Sequence, residues 1–269
     1  MGKGLAAVVQ MCSGPDRSEN LRVAERLMEE AVARGAELIV LPENFSFLGR
    51  DDSEKRNHRE EMDASPSLDF LLEFAIRRKV WIVGGSIPLA VPDAGMVTST
   101  CFLVSNTGTV AGRYDKIHLF DANLGAEPYR ESAFIKPGRQ AVTADTPFGR
   151  LGFSICYDLR FPEHFRRLVD QGATLFALPS AFTQQTGKDH WEILVRARAV
   201  ENFSYMLAAG QWGWHAGGRR TYGHSMIVEP WGTVVARCPD GNGIALAEID
   251  PARVTTSRTQ IPCLQHRVI

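Results

Sequence analysis

Two segments of the chain repeat one pattern, and this repeat limits the folds that the chain can adopt. Residues 35–45 read GAELIVLPENF and residues 172–182 read GATLFALPSAF, so both share an initial Gly-Ala and a later Leu-Pro. Each segment has the composition of a buried strand and follows an amphipathic helix. A chance likeness between two buried strands is the alternative. The repeat predicts two related sheets, each covered by helices on one face, whose strands end at the edge where α/β sheets bind ligands.

The remaining hydrophobic pattern predicts strands and helices that alternate within one domain. No linker rich in Pro, Gly and Ser divides the halves, so we expect residues 1–269 to form a single domain. Apolar spacing predicts a helix that Ser18 caps and Gly35 ends, and the charged run 49–61 is expected to be an exposed loop or helix start. Further strands are predicted at 5–11, 37–41, 80–87, 97–105, 109–116, 205–209, 225–229, 233–237 and 243–249, further helices around 68–76 and 189–202, and a less regular stretch at 121–139.

Composition excludes several classes of function. The formal net charge of −1 gives the chain no general attraction to nucleic acid or to an anionic membrane surface, and no apolar run approaches the length of a membrane span. The N-terminus lacks the order of regions typical of a signal peptide. An odd number of scattered cysteines predicts neither a disulfide framework nor a zinc site, and favours a reducing, cytoplasmic location; they are Cys12, Cys101, Cys156, Cys238 and Cys263.

The stretch 149–163 predicts a strand, a sharp turn and a helix start around Cys156. Pro162 suits the first helical turn because it has no N–H to leave unpaired, and Glu163 suits the positive end of the helix dipole. Cys156 is therefore expected where a strand ends and backbone N–H groups point outward. That position favours a thiolate nucleophile and an oxyanion. A buried structural cysteine is the alternative.

Two charged residues follow other apolar segments. Glu43 comes directly after the strand 37–41 and is either a general base or a solvated strand-end carboxylate. Lys116 follows a strand as well and is either functional or a surface lysine paired with Asp115. Position alone leaves both alternatives open.

Taken together, these three residues resemble the catalytic set of the nitrilase, or carbon–nitrogen hydrolase, superfamily. LPENF at 41–45 resembles its glutamate motif, YDKIHL at 114–119 its lysine motif and SICYDLRFPE at 154–163 its cysteine motif. The motifs occur in the family's order, and the similarity covers nearly the whole chain. Within the superfamily the chain is most similar to the Nit branch, on the segments 179–183, 190–192, 196–201 and 222–226 and on Gly187.

The resemblance implies a four-layer α-β-β-α sandwich that hydrolyses amides without a metal or an organic cofactor. It implies that Cys156 attacks the amide carbonyl, that Glu43 transfers protons, and that Lys116 stabilises the oxyanion with the backbone N–H of Tyr157. Glu131 matches the family's second glutamate, which would orient Lys116 or the attacking water. A surface carboxylate in a polar loop is the alternative for Glu131.

The resemblance also implies a small-molecule substrate, the ω-amide of a 2-oxo acid, with deaminated glutathione as the best match. An omega-amidase acting on α-ketoglutaramate, or an enzyme for another small amide or N-carbamoyl compound, is the alternative. Arg160 is the candidate for a substrate carboxylate, since its planar fork can bind one through two hydrogen bonds. Pairing with Asp158 or Glu163 is its alternative role. Phe182 and Thr183 are candidates for the pocket wall.

Three further expectations concern other residues. His118 is expected to form structural hydrogen bonds, and His190 and Trp191 either reach the pocket or serve capping and packing. The loop 210–220, which holds tryptophans and arginines, either closes over a ligand or lies exposed. The resemblance implies at least a homodimer, and the apolar tail at 261–264 and 268–269 either docks on a neighbouring subunit or packs on its own.

Two other classes of function are considered beside the amidase. A cysteine-dependent phosphatase needs an arginine six residues after its cysteine, and here that position is Pro162. A binding protein that keeps the fold without the activity is the second alternative. The intact set of Glu43, Lys116 and Cys156 argues against it.

Overall fold

The computed structural model describes residues 2–92, 95–124 and 128–268. Its helices are α1 Arg17–Ala33, α2 Pro66–Arg78, α3 Pro162–Asp170, α4 Gln184–Asn202 and α5 Pro251–Gln260. Its strands are β1 Gly4–Gln10, β2 Leu38–Val40, β3 Trp81–Val83, β4 Ile87–Ala90, β5 Val97–Val104, β6 Val110–Asp115, β7 Asp121–Asn123, β8 Pro128–Arg130, β9 Thr143–Thr146, β10 Gly149–Phe153, β11 Leu175–Ser180, β12 Tyr205–Gly210, β13 Trp212–Trp214, β14 Arg220–Tyr222, β15 Met226–Val228, β16 Val234–Arg237 and β17 Gly243–Ile249.

The two large sheets share one topology. The first has the order β17-β1-β2-β3-β5-β4, with β6 paired to β5, and the second has the order β16-β15-β12-β11-β10-β9. In each sheet three neighbouring strands run parallel, namely β1, β2 and β3 or β10, β11 and β12, and their outer neighbours run antiparallel. Because helices connect the parallel strands, the repeat in the sequence corresponds to one repeated supersecondary unit.

The side chains of each strand alternate between the two faces of its sheet, and this alternation produces the α-β-β-α sandwich. In β1, Ala6 and Val8 belong to the core between the two sheets, whereas Ala7 and Val9 belong to the core beneath the helices of the first sheet. Successive side chains of a strand point to opposite faces, so a strand that is apolar throughout serves both cores. The predicted four-layer fold is confirmed.

Two glycines explain why the repeat includes its initial Gly-Ala. Gly35 has φ of +89° and Gly172 has φ of +91°, and each reverses the chain after a helix, α1 or α3. Residues other than glycine rarely adopt this conformation. The N-terminal cap of α1 differs from the predicted Ser18, because the side chain of Asp16 accepts the hydrogen bond from Glu19 N.

The prediction of one continuous strand over 80–87 is wrong, since Gly84 and Gly85 separate two short strands, β3 and β4. Gly85 has φ of +55°, and a Cβ atom there would lie 2.2 Å from the carbonyl oxygen of Pro42. This interruption of the strand therefore lets the backbone at Gly85 pass close to the turn that carries Glu43.

Helix α4 begins at Gln184 rather than near 189, because the Thr183 side chain accepts a hydrogen bond from Thr186 N and caps it. The helix α5 was not predicted from the sequence, since its Thr-rich, weakly amphipathic composition gives little periodic signal.

The prediction of an exposed loop or a helix start for the charged run 49–61 is correct in part, since several of its residues are exposed and a 3₁₀ segment begins there, but two of its charged residues are buried. The run contains a 3₁₀ segment at Asp52–Arg56 in which Lys55 is 4% exposed, and Glu60 is 3% exposed. Arg17 forms an ion pair of 3.0 Å with Glu60, which offsets the cost of burying that charge.

No helix in the described parts of the chain is long and apolar enough to cross a membrane. Of the C-terminal residues in the predicted docking tail, Ile269 lies outside the described residues.

Candidate active site

Lys116 is a fully buried cation held between two carboxylates. Its Nζ lies 2.9 Å from Oε1 of Glu43 and 2.9 and 2.8 Å from the two carboxylate oxygens of Glu131. All three residues are at most 5% exposed. Lys116 therefore does not form the surface pair with Asp115 that was the alternative, and its ammonium has one fixed position.

The backbone around Lys116 is equally constrained. The residue follows β6, donates its N–H to the carbonyl of Ser99, and accepts a hydrogen bond from Gly138 N. Because these two backbone hydrogen bonds fix Lys116, its side chain can extend along one path into the interior.

Glu43 lies in the turn after β2 and is held by the second half of the molecule. The side-chain amide of Gln211, which follows β12, donates to the carbonyl oxygen of Glu43 at 2.9 Å. The next residue, Asn44, has φ of +58° and donates its N–H to Ser86 Oγ. The carboxylate is thus aimed at the interior by contacts from both sheets.

Glu131 begins the 3₁₀ segment Glu131–Ala133 and is buried, not a surface carboxylate. Besides Lys116, its carboxylate accepts a hydrogen bond of 2.6 Å from Phe120 N. The short β7–β8 hairpin, which lies just before it in the chain, gives the stretch 121–139 more structure than its sequence predicts.

Cys156 lies after β10, at the start of the 3₁₀ segment Cys156–Arg160. Its φ of +47° is unusual for a residue other than glycine and indicates a strained turn at a functional position. Cys156 is 8% exposed. The predicted strand end is present, and it presents the sulfur to the same interior space as Glu43 and Lys116.

The resting charge of Cys156 differs from the thiolate that its place at a strand end favours. Burial raises the pKa of the thiol well above its usual range, and the Glu43 carboxylate raises it further, while Lys116 and the Ala181 N–H act in the opposite direction. The raised pKa of this thiol favours its neutral form beside the Glu43 carboxylate. Burial disfavours the charged form of Lys116, but the carboxylates of Glu131 and Glu43 outweigh burial and raise the pKa of its ammonium well above the ordinary value.

A buried carboxylate, Asp158, joins the lysine and cysteine segments. It accepts hydrogen bonds from the Tyr114 hydroxyl at 2.7 Å and from Ile155 N at 2.8 Å, and it contacts both N and Nδ1 of His118. This buried role of Asp158 was not predicted from the sequence, because a single Asp in a turn is usually solvated. His118 has the structural hydrogen-bonding role that was expected.

One cleft contains all eight residues predicted for the site. Its empty volume is about 680 Å³ and it opens to solvent. The residues that line it and were named from the sequence are Glu43, Lys116, Glu131, Cys156, Tyr157, Arg160, Phe182 and Thr183.

Arg160 lies over the ring of Phe182, with its guanidinium carbon 5.4 Å from the ring centroid and its nitrogens 3.4 Å from His190 Nδ1. The Asp158 carboxylate is already bound by Tyr114 and His118, which excludes Asp158 as the alternative partner of Arg160. The ring of Trp191 packs against the ring of Phe182, with 5.0 Å between the ring centroids. Trp191 thus packs, whereas His190 reaches the cleft indirectly through Arg160.

Among the further residues that line the cleft, Asp52, Lys55 and Tyr129 were not predicted from the sequence, whereas Arg219 lies in the loop 210–220 that was expected either to close over a ligand or to lie exposed. Asp52 and Lys55 were hidden in a run that looks solvated, and only their spacing of three residues indicated an ion pair. Arg219 belongs to the 210–220 loop, which forms the β13–β14 hairpin beside the cleft. Its guanidinium is bound to Asp52, so Arg219 is not a solvated loop arginine.

No group of three or more His, Cys, Asp or Glu side chains suited to a metal ion occurs among the residues that the structure describes. Around Lys116, the cleft offers the chemistry of a thiol, two carboxylates and an ammonium. This donor set suits nucleophilic acyl transfer.

Comparison with known proteins gives matches over nearly the full chain. The model of the carbon–nitrogen hydrolase family matches residues 5–259. A Synechocystis protein named deaminated glutathione amidase is 46% identical over 268 residues, which are 98% of each chain. The crystal structure of the Caenorhabditis elegans NitFhit protein superposes with a TM-score of 0.93 at 39% identity, covering 100% of this chain and 66% of that one. That of Saccharomyces cerevisiae Nit3 gives 0.90 at 32% identity and covers 100% of this chain and 97% of that one.

Proposed function

The chain belongs to the carbon–nitrogen hydrolase family, and we propose that it is an amidase that cleaves the ω-amide of deaminated glutathione through a thioester on Cys156. The observation that carries this proposal is the placement of one buried ammonium, Lys116, between Glu43 and Glu131 in the cleft that also holds Cys156. A buried charge that is fixed before substrate arrives can stabilise a developing oxyanion without reorganisation.

The acylation step begins with a proton transfer. Because the pKa of the Cys156 thiol is raised, a base must remove its proton, and the neighbouring Glu43 carboxylate is that base. The sulfur then attacks the amide carbon, and the carbonyl oxygen becomes an oxyanion beside Lys116 and the Tyr157 N–H. Collapse of this intermediate breaks the C–N bond. Glu43 returns its proton to the departing amine, which leaves a thioester on Cys156.

Deacylation repeats the same steps with water. Glu43, again unprotonated, removes a proton from a water molecule that attacks the thioester carbon. Lys116 stabilises the second oxyanion, and the thiolate of Cys156 leaves and recovers a proton from Glu43. Both carboxylate oxygens of Glu131 stay in contact with the Lys116 ammonium throughout the reaction, so Glu131 acts as a positioning residue for that ammonium.

The substrate is proposed from the relatives and from the charge of the cleft. The 46% identical Synechocystis protein is named deaminated glutathione amidase. Deaminated glutathione carries carboxylates, and the cleft is lined by Arg160, Lys55, Arg219 and Arg220. We propose Arg160 for the carboxylate of the 2-oxo acid, because it belongs to the same turn as the nucleophile and the acyl group stays bonded there.

A comparison of substrates tests this function. The kcat/KM for deaminated glutathione should exceed that for α-ketoglutaramate, and intact-mass spectrometry should show one acyl adduct on Cys156 with either compound. Equal or faster turnover of α-ketoglutaramate would assign the chain as an omega-amidase instead. Activity on N-carbamoyl compounds or on nitriles alone would overturn both assignments.

We further propose a homodimeric assembly, a cytoplasmic location and a single domain over residues 1–269. Apolar side chains are exposed on one face of α4, where Ile193 is 69% exposed, and in the C-terminal segment, where Ile261 is 45% exposed. Such surfaces are typical of faces that a second subunit covers. All five cysteines are free, as expected of a protein in a reducing compartment.

A further inference from the structure

The cleft has a second cationic group, separate from Arg160, that the amidase mechanism does not use. Asp52 Oδ1 lies 3.1 Å from Lys55 Nζ, and Asp52 forms a two-point pair with Arg219 at 3.0 and 3.3 Å. We refer to Asp52, Lys55 and Arg219 as the Asp52 cluster. Their side chains are 13%, 5% and 24% exposed, respectively, so the cluster is largely withdrawn from water.

The Asp52 cluster carries an excess of positive charge. One carboxylate serves two cations, and each cation keeps further N–H donors, since an ammonium has three and a guanidinium has five. Asp51, the carboxylate that precedes Asp52 in the chain, accepts hydrogen bonds from Ser53 N and Oγ, and its negative charge also acts on Arg219. An anion that enters the cleft would therefore find donors that are already fixed and partly desolvated.

The cluster and Arg160 contact different aromatic rings of the cleft. The Arg219 guanidinium lies 5.8 Å from the Tyr129 ring centroid, and the Phe120 ring lies 5.1 Å from the rings of both Tyr129 and Tyr157. This row of rings connects the residue next to Cys156 with the cluster. Arg160, in contrast, lies over Phe182.

The cleft continues beyond the cluster. A second cleft with an empty volume of about 820 Å³ shares Asp52, Tyr129 and Arg219 with the first one, and Arg50 and Arg130 also line it. Asp52 and Arg219 therefore lie where the two clefts meet, so the leaving group of a substrate can extend as far as the cluster. A substrate whose leaving group is ammonia needs no second cationic group.

We propose that the Asp52 cluster, through Lys55 and Arg219, binds the carboxylate of the leaving group and so selects substrates whose amide nitrogen bears a short acidic peptide chain. This inference rests on the proposed function. In deaminated glutathione the leaving group is a dipeptide, and two extended residues place its terminal carboxylate about 7 Å from the scissile nitrogen. Arg160 then holds the carboxylate of the acyl part, so each of the two anionic ends has its own cation.

The chemistry of the reaction supplies a selective test. Deaminated glutathione, its C-terminal carboxamide and α-ketoglutaramate all give the same thioester on Cys156, so they differ only in steps before the leaving group departs. The quantity to measure is the ratio of kcat/KM for deaminated glutathione to that for its carboxamide. In the wild-type enzyme this ratio should be about tenfold or more, because the carboxamide loses a charge-assisted hydrogen bond.

Substitution of the cluster should remove this preference. Arg219→Gln and Lys55→Met should each bring the ratio close to one, while Arg219→Lys should retain part of it. The control is Arg22→Gln, which removes an exposed arginine paired with Glu19 on α1 and should keep the wild-type ratio.

Three results are distinguishable. A wild-type ratio near one would overturn the inference. An equal loss of kcat/KM for all three compounds in Arg219→Gln and Lys55→Met would also overturn it, since that result is expected of a purely structural ion pair. A wild-type enzyme that cleaves none of the three compounds would overturn the proposed function, and the inference with it.

Discussion

The Tyr114 hydroxyl donates a hydrogen bond of 2.7 Å to Asp158, and this bond joins the strand that leads to Lys116 with the turn that begins at Cys156. Tyr114 stands two residues before Lys116, and Asp158 stands two residues after Cys156. Both are fully buried. This hydrogen bond therefore connects the segments of Lys116 and Cys156 through two other side chains.

The first prediction concerns this contact. Asp158→Asn removes a buried negative charge that accepts hydrogen bonds from Tyr114 and Ile155, so it should destabilise the fold by about 3 kcal/mol and lower kcat about tenfold or more. Urea unfolding and steady-state kinetics would measure both effects. Asp145→Asn is the matched control, since the Asp145 side chain is 78% exposed, and it should change neither.

The effect of Asp158 should also depend on pH. Burial opposes ionisation of Asp158, but hydrogen bonds from His118, Tyr114 and Ile155 outweigh burial and lower its pKa below the usual value. A lowered pKa stabilises the folded state above the unfolded value of about 4 and loses that effect as pH falls through the folded pKa. The difference in unfolding free energy between wild type and Asp158→Asn should thus shrink as pH falls from about 5. A difference that stays constant over that range would contradict the assigned charge.

The second prediction concerns the nucleophile. Cys156→Ala should form no acyl-enzyme, because no other sulfur lines the described part of the cleft. Intact-mass spectrometry after mixing with substrate would detect an adduct. Cys101→Ala removes a buried cysteine outside the cleft and should still acylate. A thioester on the Cys156→Ala variant would refute the assignment.

The third prediction separates the two effects of Glu43. As a negative charge, Glu43 raises the pKa of the Cys156 thiol, and as a base it accepts the thiol proton. Glu43→Gln should therefore lower the thiol pKa and yet reduce kcat/KM by about 10² or more. The ultraviolet absorbance of the thiolate against pH, with Cys156→Ala as the blank, would follow the first effect. Turnover that is retained together with a lowered thiol pKa would show that Glu43 is not the base.

The fourth prediction concerns Lys116. Lys116→Met should lower turnover by about 10² or more, because the oxyanion loses a fixed positive charge. The variant should also be less stable by several kcal/mol, since Glu43 and Glu131 would remain buried without their cation. Adding Glu131→Gln to Lys116→Met should recover part of the stability but no activity. Normal turnover in a folded Lys116→Met variant would exclude the proposed role.

The fifth prediction concerns assembly. Light scattering should give a mass about twice that of the 29.8 kDa chain. Ile193→Asp and Val200→Asp, seven residues apart on exposed positions of α4, should shift the protein toward the monomer. Val110→Asp changes an exposed apolar residue of β6 and serves as the control. A stable mass near that of one chain for the wild type would refute the dimer.

Several elements could be predicted from the sequence because the local pattern and the tertiary environment agree. The β5–β6 hairpin has two strands that flank the turn residues Asn106-Thr107-Gly108, and β1 is apolar on both faces, as a central strand requires. The run 49–61 was predicted only in part. Its charges are characteristic of a solvated surface, but the local pair of Asp52 with Lys55 and ion pairs with distant residues such as Arg17 and Arg219 permit the burial of some of them.

The sequence by itself determined the repeat, most of the order of strands and helices, and the three motif residues that follow strand ends, because these depend on residue type and local spacing. The tertiary structure alone decided what those residues face. It placed Glu131 on Lys116, raised the pKa of Cys156 through burial, and brought Asp52 and Arg219 together across 167 positions of the chain. Burial and electrostatic coupling act over distances in space, and a linear pattern does not contain those distances until the two sheets have packed.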